Sequence, residues 1–246
     1  MRRIKFLIPT YGRQRQLTLE YLSDADADVR LQTQDKADIM AIRRMYGDVD
    51  VNCDESATNL AQNANNGLRA YESGEIVAVM DDDIKYSIFC ENGHRRKAAA
   101  KEFVKRVQQL AGVMDERQAD VATGFPSNGI SFRNAGGGIV ENRIGSGWLM
   151  LVRVGACRYD EGLTSCEDYE MQLSVIARGG TVLRDNGVAP QGKSRTVTNG
   201  PQQGGRGFYY EDAEHRKNVR AVVRKYYPLA RLARDGRSIT LNTAIL

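Results

Sequence analysis

Three consecutive aspartates, Asp81, Asp82 and Asp83, follow directly after an apolar run at residues 76–80. Adjacent carboxylates repel one another, and a divalent cation that neutralises them makes such an arrangement favourable. Side chains two positions apart on an extended segment point the same way, so we expect Asp81 and Asp83 to face one site and Asp82 to face elsewhere. Two carboxylates leave coordination positions of Mg²⁺ or Mn²⁺ open for a diphosphate. The alternative is a polar turn that caps the next helix.

A second acidic pair, Glu167 and Asp168, lies in the segment SCEDYE, where the pattern predicts the start of a helix. The functional hypothesis is that Asp168 or Glu167 is a general base, which takes a proton from an acceptor hydroxyl. Acidic side chains in a first helical turn also interact favourably with the helix dipole, so a purely structural role is the alternative.

The composition narrows the kinds of site and partner. The four cysteines form no C-x-x-C pair and only two histidines occur, which argues against zinc and favours the reduced thiols of a cytoplasmic protein. No apolar stretch is long enough for a transmembrane helix, so no membrane partner is expected. The net charge is +4, and basic residues are concentrated at 94–106 and 191–237. Local basic patches favour a polyanionic partner.

The elements that must position these residues alternate along the first half of the chain. Hydrophobic patterning predicts strands at 4–8, 29–33, 49–52 and 76–80, and helices at 15–23, 36–45 and 57–71. This alternation predicts an α/β fold with an open, mostly parallel sheet flanked by helices. Ligands of such sheets bind at the carboxyl ends of the strands, and the triple aspartate lies at one of those ends.

The second half of the chain predicts a different organisation. Helices are expected at 102–113 and 168–177, and strands at 148–154 and 181–185. A glycine-rich loop at 191–207 precedes a basic helix at 211–235, which we expect to bend at Pro228. We therefore expect one domain over residues 1–190, with residues 191–246 forming a loop and a basic helical extension packed on that domain.

Three stretches carry a resemblance to a known family: IPTYGR, NANNGLRAYESGEIVAVMDDDIKYS and EGLTSCEDYEMQLSVIARGG. Their order and spacing over residues 4–185 resemble the GT-A (Rossmann-like) glycosyltransferases, especially the inverting, family-2-like kind. The triple aspartate followed by a hydrophobic-aromatic step, together with the glycine-rich tail, is most similar to the TET-associated glycosyltransferases. That group includes bacteriophage enzymes and relatives of the base-J glucosyltransferase, which put a sugar on a hydroxymethylated DNA pyrimidine.

The resemblance implies a role for particular residues of this sequence. The implied donor-binding residues are Pro9, Thr10, Tyr11, Asn65, Asp81 and Asp82. Ala64 stands where such families often have an arginine. The implied metal ligand is Asp83, with Asp81 and His215 as further ligands of Mn²⁺ or Mg²⁺. A solvated role is the alternative for His215, because it lies in a polar helix.

The implied reaction is inverting transfer from a nucleotide-sugar, with UDP as the expected carrier. The metal and basic groups would stabilise the leaving nucleoside diphosphate. Asp168 would deprotonate the acceptor, with Glu167 near the donor sugar or the acceptor. Lys193, Arg195 and Arg206 in the glycine-rich loop could close over the diphosphate; a plain surface linker is the alternative.

The basic patches and the resemblance together favour DNA as the acceptor. Lys97, Lys101 and Lys105 recur every four residues, which predicts one helix face suited to phosphates. Arg220 and Arg224 extend this prediction to the C-terminal helix, although charged helix faces are often only solvated. A duplex base must flip out to reach Asp168, and Phe125, Phe132 or Trp148 could stack on it. If a phage encodes the chain, the host cytoplasm is the expected location.

Two alternatives remain open at this point. The chain could be a GT-A glycosyltransferase that acts on a saccharide, a protein or a small molecule. It could instead be a catalytically inactive GT-A-like module that binds DNA. A sugar nucleotidyltransferase of the same fold type usually has a glycine-rich, basic loop after the first strand, and IPTYGRQRQ matches that pattern poorly.

Overall fold

The computed structural model describes residues 3–13, 15–126, 132, 134–192, 212–234, 236 and 238–245. Its strands are β1 (Lys5–Pro9), β2 (Asp28–Thr33), β3 (Asp50–Cys53), β4 (Ile76–Met80), β5 (Ile84–Glu91), β6 (His94–Ala98), β7 (Val121–Gly124), β8 (Ile139–Glu141), β9 (Ser146–Arg153), β10 (Val182–Asp185), β11 (Val188–Gly192), β12 (Ala230–Leu232) and β13 (Ile239–Leu241). Its helices are α1 (Leu17–Ser23), α2 (Lys36–Tyr46), α3 (Leu60–Leu68), α4 (Ala100–Glu116), α5 (Glu167–Ala177) and α6 (Asp212–Lys225), followed by a short 3-10 turn at Thr243–Ile245.

The central sheet has eight strands in the order β3-β2-β1-β4-β9-β7-β10-β8. Strands β1 to β4 run parallel, as do β7 and β10, whereas β9 is antiparallel to β4 and β7, and β8 is antiparallel to β10. Six of these eight strands therefore share one direction. The predicted α/β class with a mostly parallel sheet flanked by helices is confirmed.

Both faces of the sheet are covered, because apolar side chains of the central strands alternate between two core clusters. On β1, Phe6 and Ile8 pack in a cluster that includes Phe103 of α4, whereas Leu7 packs in a second cluster with Met171 of α5. Helix α3 approaches the sheet closely at Gly67, where an added Cβ would lie 2.8 Å from a methyl carbon of Leu7. The glycine therefore allows α3 to lie close to β1.

A hairpin that the sequence analysis did not predict follows the triple aspartate. Strands β5 and β6 pair antiparallel, and Asn92 and Gly93 connect them with positive φ angles of 51° and 77°. An Asn-Gly pair is a strong hairpin signal, and the sequence carries it here. Strand β11 pairs with β5 to complete a three-stranded sheet beside the end of β4.

The hairpin and the C-terminal segment correct two predictions. Lys97 lies on β6, before α4 begins, so the prediction that it shares a helix face with Lys101 and Lys105 is wrong. The last helix ends at Lys225 and does not continue through Pro228, because residues beyond it pair as β12 and β13. The domain division at residue 190 stays a prediction, and β11 crosses that position.

Within the described residues, no helix combines the length and apolar character needed to cross a membrane.

Candidate active site

The end of β1 is tied to the aspartates after β4 through Thr10. The Thr10 amide donates to the Gln32 carbonyl at 2.8 Å, which keeps the residue in register with β2. Its hydroxyl donates to Asp82 Oδ2 at 2.7 Å and accepts from Gln16 Nε2 at 3.0 Å. Predicted donor-site residues Pro9 and Thr10 are buried here, and Tyr11 is half-buried just beyond them. The first and fourth strands therefore meet at one polar edge.

Arg13 neutralises two of the three aspartates. Its guanidinium is hydrogen-bonded to Asp82 Oδ1, and its Nη1 lies 3.6 Å from Asp83 Oδ2. These contacts group Asp82 with Asp83, whereas the sequence predicted that Asp81 and Asp83 would share a site. Residues 81–83 begin a turn, so the alternation of an extended strand does not hold. The alternative of a polar turn also differs from the structure, because β5 rather than a helix follows.

Asp81 lies at the end of β4, at the sheet edge where β9 begins. The Asp81 backbone carbonyl accepts a hydrogen bond from the Thr18 hydroxyl. Burial raises the pKa of Tyr159 well above its ordinary value, and the charges of Glu167, Asp168 and Asp81 raise it further. Asp168 is bound by the amide of Gly147, which lies on β9 close to the end of β4. The structure thus brings Asp81 to the same region as the predicted base.

Asp168 is half-buried in the first turn of α5. Its Oδ2 accepts a hydrogen bond from the Gly147 amide at 2.9 Å, and an added Cβ at residue 147 would lie 2.6 Å from the same oxygen. Burial raises the pKa of Asp168, while the amides of Tyr169 and Gly147 and the nearby His215 lower it in part. A carboxyl group with a raised pKa suits proton transfer.

The turn that presents Glu167 and Asp168 is strained. Cys166 precedes α5 with φ of 66°, in the left-handed region that non-glycine residues rarely adopt. Such backbone strain clusters at functional sites, because the surrounding structure must hold it in place. Glu167 is half-buried as the first residue of the helix.

Helix α6 contacts this turn through His215. The His215 Nδ1 lies 3.1 Å from Ser165 Oγ and 3.7 Å from Cys166 Sγ. Asn218 Nδ2 also donates to Ser165 Oγ at 3.1 Å. The structure therefore places His215 beside the start of α5, and its role as a metal ligand stays a prediction.

The predicted metal site does not assemble from the side chains that the structure describes. Among those residues, no group of three or more His, Cys, Asp or Glu side chains could hold a metal ion. The positive charge beside Asp82 and Asp83 comes from Arg13. Among the described residues, Asp81, Asp83 and His215 do not form such a group, and their role as ligands of Mn²⁺ or Mg²⁺ stays a prediction.

Asn65 is hydrogen-bonded to the segment around Tyr159, and its donor-binding role stays a prediction. Its amide nitrogen donates to the Tyr159 carbonyl at 3.0 Å and to Glu161 Oε1 at 2.9 Å, and its oxygen accepts from the Tyr159 amide. Asn63 instead donates to the carbonyls of Thr10 and Gln32 at 3.1 and 2.9 Å. Asn63 was not among the predicted site residues, although repeated asparagines on a buried helix could have indicated it.

The candidate DNA-binding residues fall on separate surfaces. Lys101 and Lys105 are exposed on α4, and Arg220 and Arg224 are exposed on α6. Lys97 lies on β6, where its Nζ is 4.9 Å from the centre of the Tyr86 ring. Lys193, Arg195 and Arg206 lie outside the described residues.

The aromatic residues proposed to stack on a flipped base are mostly internal. Phe125 and Phe132 are buried against each other, with ring centres 5.3 Å apart. The Arg184 guanidinium covers the Phe125 ring at 4.8 Å. Trp148 is half-buried and packs against the core on the α4 side of the sheet. The predicted stacking role of Phe125 and Phe132 is therefore wrong, because both rings complete the core beneath the small sheet.

No protein-family model matches the sequence, and no curated protein matches it. Among solved structures, the chain is similar to CMP:2-keto-3-deoxy-manno-octonic acid synthetase complexed with CTP, with a TM-score of 0.45 and 13% sequence identity. The similarity covers 74% of this chain and 89% of that one. A likeness this distant assigns no activity to the chain.

Proposed function

We propose that this chain is an inverting glycosyltransferase that transfers a sugar from a nucleotide-sugar to the hydroxyl of a 5-hydroxymethyl pyrimidine in DNA. The observation that carries the proposal is the position of Asp168. This carboxyl group has a raised pKa, is held by the Gly147 amide, and lies in the same region as Asp81 at the carboxyl end of β4. A proton acceptor next to a polar strand edge is what an attack by a hydroxyl on a bound donor requires.

The donor would bind at the ends of β1 and β4. Pro9, Thr10 and Tyr11 form the first edge of this region, and UDP is the expected carrier. A nucleoside diphosphate needs positive charge next to it, and Arg13 is the described cation at that edge. Lys193, Arg195 and Arg206 are proposed to add charge from the glycine-rich segment.

The proposed chemistry is a single displacement. The Asp168 carboxylate takes the proton of the acceptor hydroxyl, and the oxygen forms a bond to the anomeric carbon of the sugar. The bond between that carbon and the diphosphate oxygen breaks, and its electron pair leaves with the nucleoside diphosphate. One base and no covalent intermediate invert the configuration. A raised pKa brings Asp168 closer to the operating pH, where general-base catalysis is most efficient.

The β5–β6 hairpin supports the choice of DNA as the acceptor. It carries a cleft of about 670 Å³, and β5 begins at Ile84, next to Asp83. The described residues that line this cleft are Tyr86, Ile88, Gly93, His94, Arg95, Arg96 and Lys97. None of these is acidic, so the cleft suits a phosphate backbone. Arg96 is also paired with Glu102 at 2.9 Å, which leaves Lys97 as the stronger candidate for a phosphate contact.

The first test separates donor binding from transfer. Melting temperatures of the wild type and Asp83→Ala would be measured with UDP, GDP, CMP and dTDP, with and without Mn²⁺. A ligand at a hundred times its dissociation constant adds about 2.7 kcal/mol of stability, which gives a visible shift. We expect a shift with UDP, and a shift that needs Mn²⁺ and is lost in Asp83→Ala would support the predicted metal role.

The second test identifies the acceptor by mass spectrometry. Hydroxymethylated DNA, unmodified DNA of the same sequence and an oligosaccharide mixture would each be incubated with the protein and the donor. We expect added sugar mass only on the hydroxymethylated DNA. Transfer only to a saccharide would contradict the DNA acceptor. Nucleotide binding with no transfer to any acceptor would contradict the enzyme proposal and favour an inactive DNA-binding module.

A further inference from the structure

The C-terminal end of α6 forms an open cleft that the candidate active site does not include. Its volume is about 470 Å³, and it is lined by Arg220, Val223, Arg224, Tyr227 and Leu232. None of these described lining residues is acidic. Residues 216–246 carry eight Lys or Arg and a single Asp, so the surrounding chain is also strongly basic. We call this cleft the Arg–Tyr cleft.

The arginines of the Arg–Tyr cleft differ from most basic side chains elsewhere in the structure. Arg220 and Arg224 lie one helical turn apart on one face of α6, and neither forms a hydrogen bond or ion pair with another described residue. Arg106, by contrast, makes two hydrogen bonds to Asp185, at 2.6 and 2.9 Å. Lys225, next to Arg224, contacts Glu170 at 2.7 Å. Charge in the Arg–Tyr cleft therefore remains available to an anionic partner.

An exposed aromatic ring completes the cleft. Tyr227 is 75% exposed and Leu232 is 42% exposed, whereas the described core holds most large apolar side chains. A single exposed apolar residue needs no explanation, but these two line the same basic cleft. An exposed tyrosine in the same cleft as two arginines offers a base a surface for stacking, and the arginines offer its flanking phosphates bidentate donors.

We propose that the Arg–Tyr cleft binds an unpaired nucleic-acid strand, with one base stacked on Tyr227 and the neighbouring phosphates bound by Arg220 and Arg224. Stacking of this kind needs a base face that a duplex conceals, so the cleft favours single-stranded over double-stranded DNA. The role of this cleft in presenting the acceptor rests on the proposed function. Binding itself requires no nucleotide-sugar and no catalysis.

The Arg–Tyr cleft lies on the same helix as His215, close to the candidate active site. Arg224 lies nine residues beyond His215 on α6, which corresponds to about 13 Å along the helix axis. His215 contacts the turn that carries Asp168. A strand held at the Arg–Tyr cleft would therefore be kept near the candidate base while its target nucleotide is unpaired.

The test measures binding of a fluorescein-labelled 20-nucleotide strand by anisotropy over a salt series, with no donor present. Tyr227→Ala is expected to weaken binding by roughly 5- to 100-fold, because a stacked base is lost. Tyr227→Phe keeps the ring and is expected to bind like the wild type. The double variant Arg220→Gln and Arg224→Gln is expected to lower the slope of log K against log salt by about 1.4.

The matched control removes two exposed arginines from the last turn of α2, by Arg43→Gln and Arg44→Gln. It has the same change in net charge and is expected to bind the strand like the wild type. Equal losses in the control and the cleft variant would overturn the proposal, as would wild-type affinity in Tyr227→Ala. Circular dichroism melts would establish that each variant is folded.

Ultraviolet crosslinking of an iodouridine-labelled strand to the wild-type protein tests the same contact without a variant. We expect a crosslink to Tyr227, and crosslinks only to other residues would overturn the proposal.

Other partners are outcomes of the same experiment. Equal or tighter binding of the matching duplex, of an acidic peptide or of phosphatidylserine vesicles would overturn an unpaired strand as the occupant. UDP-dependent melting shifts in the same samples keep the two proposals apart. A UDP shift without strand binding would reject only the Arg–Tyr cleft, and strand binding without any nucleotide shift would reject only the transferase.

Discussion

The two carboxylate groups of the candidate site are held in different ways. Asp82 and Asp83 lie in the turn after β4, where the Arg13 guanidinium contacts both and the Thr10 hydroxyl donates to Asp82. Asp168 opens α5, where a backbone amide holds it and burial raises its pKa. The first pair is matched by a fixed positive charge, whereas the second group can exchange a proton at a less acidic pH. This difference supports the proposal that Asp168, rather than the first pair, takes the proton of the acceptor.

The largest expected effect comes from Asp168→Asn. The amide keeps nearly the same shape and can still accept from the Gly147 amide, but it cannot take a proton. We expect the rate of transfer to fall by roughly 100- to 10,000-fold, the range for loss of a general base. Donor binding, measured as a melting shift with UDP, should stay unchanged. Normal turnover by this variant would remove Asp168 from the proposed mechanism.

Arg13→Gln removes the positive charge that contacts Asp82 and Asp83. Asp82 and Asp83 would keep their positions without a cationic partner, and both side chains are largely buried. Removing one partner of a buried ion pair costs about 3 kcal/mol or more, so we expect a clear loss of stability in urea unfolding and weaker donor binding. Arg43→Gln, at an exposed site, should change stability by less than about 0.5 kcal/mol. Equal stability of Arg13→Gln and wild type would show that Arg13 does not support the aspartates.

Gly147→Ala tests how closely Asp168 is held. The added methyl group would lie 2.6 Å from Asp168 Oδ2, so the carboxylate must move away from its amide donor. Misplacement by about 1 Å can cost as much as 100-fold in rate, and we expect kcat to fall by roughly 10- to 100-fold. Gly112→Ala is the control, because α4 leaves open space there and alanine favours a helix. Gly112→Ala should leave kcat unchanged and raise the melting temperature slightly.

The smallest effect concerns pH. Since Asp168 must be ionised to act as a base, transfer should decline as the pH falls through its raised pKa, above the ordinary range of an aspartate. The folded state binds this proton more tightly than the unfolded chain, so ionisation of Asp168 costs stability as the pH rises through the same window. Profiles of kcat/KM and of unfolding against pH, for the wild type and Asp168→Asn, test both statements. An acidic limb at an ordinary aspartate pKa would contradict them.

Local hydrophobic and polar patterning was sufficient to predict the strand and the helix that carry the candidate site. The apolar run at 76–80 is β4, and the acidic segment after Cys166 opens α5, as the sequence predicts. Burial on both faces explains the continuous apolar strand. The hairpin of β5 and β6 was missed because its basic residues resembled a helix face, although the Asn-Gly pair at 92–93 signalled a turn.

Side-chain direction was less predictable than element type. Asn63 and Asn65 are two positions apart on α3, yet Asn63 binds the end of β1 and Asn65 binds the segment around Tyr159. Both are buried, so composition alone does not distinguish them. The rotation of α3 on the sheet decides which asparagine faces which neighbour, and Gly67 against Leu7 sets how closely the helix packs.

The sequence by itself determined the alternation of strands and helices, the α/β class and the two acidic segments, because these depend on periodicity within short windows. Only the tertiary structure decided that Arg13 binds Asp82, 69 positions away, and that Gly147 holds Asp168, 21 positions away. Those contacts depend on how separate elements pack against each other. Local periodicity carries no information about distance between elements, so the partners of the candidate carboxylates emerge only when the sheet is assembled.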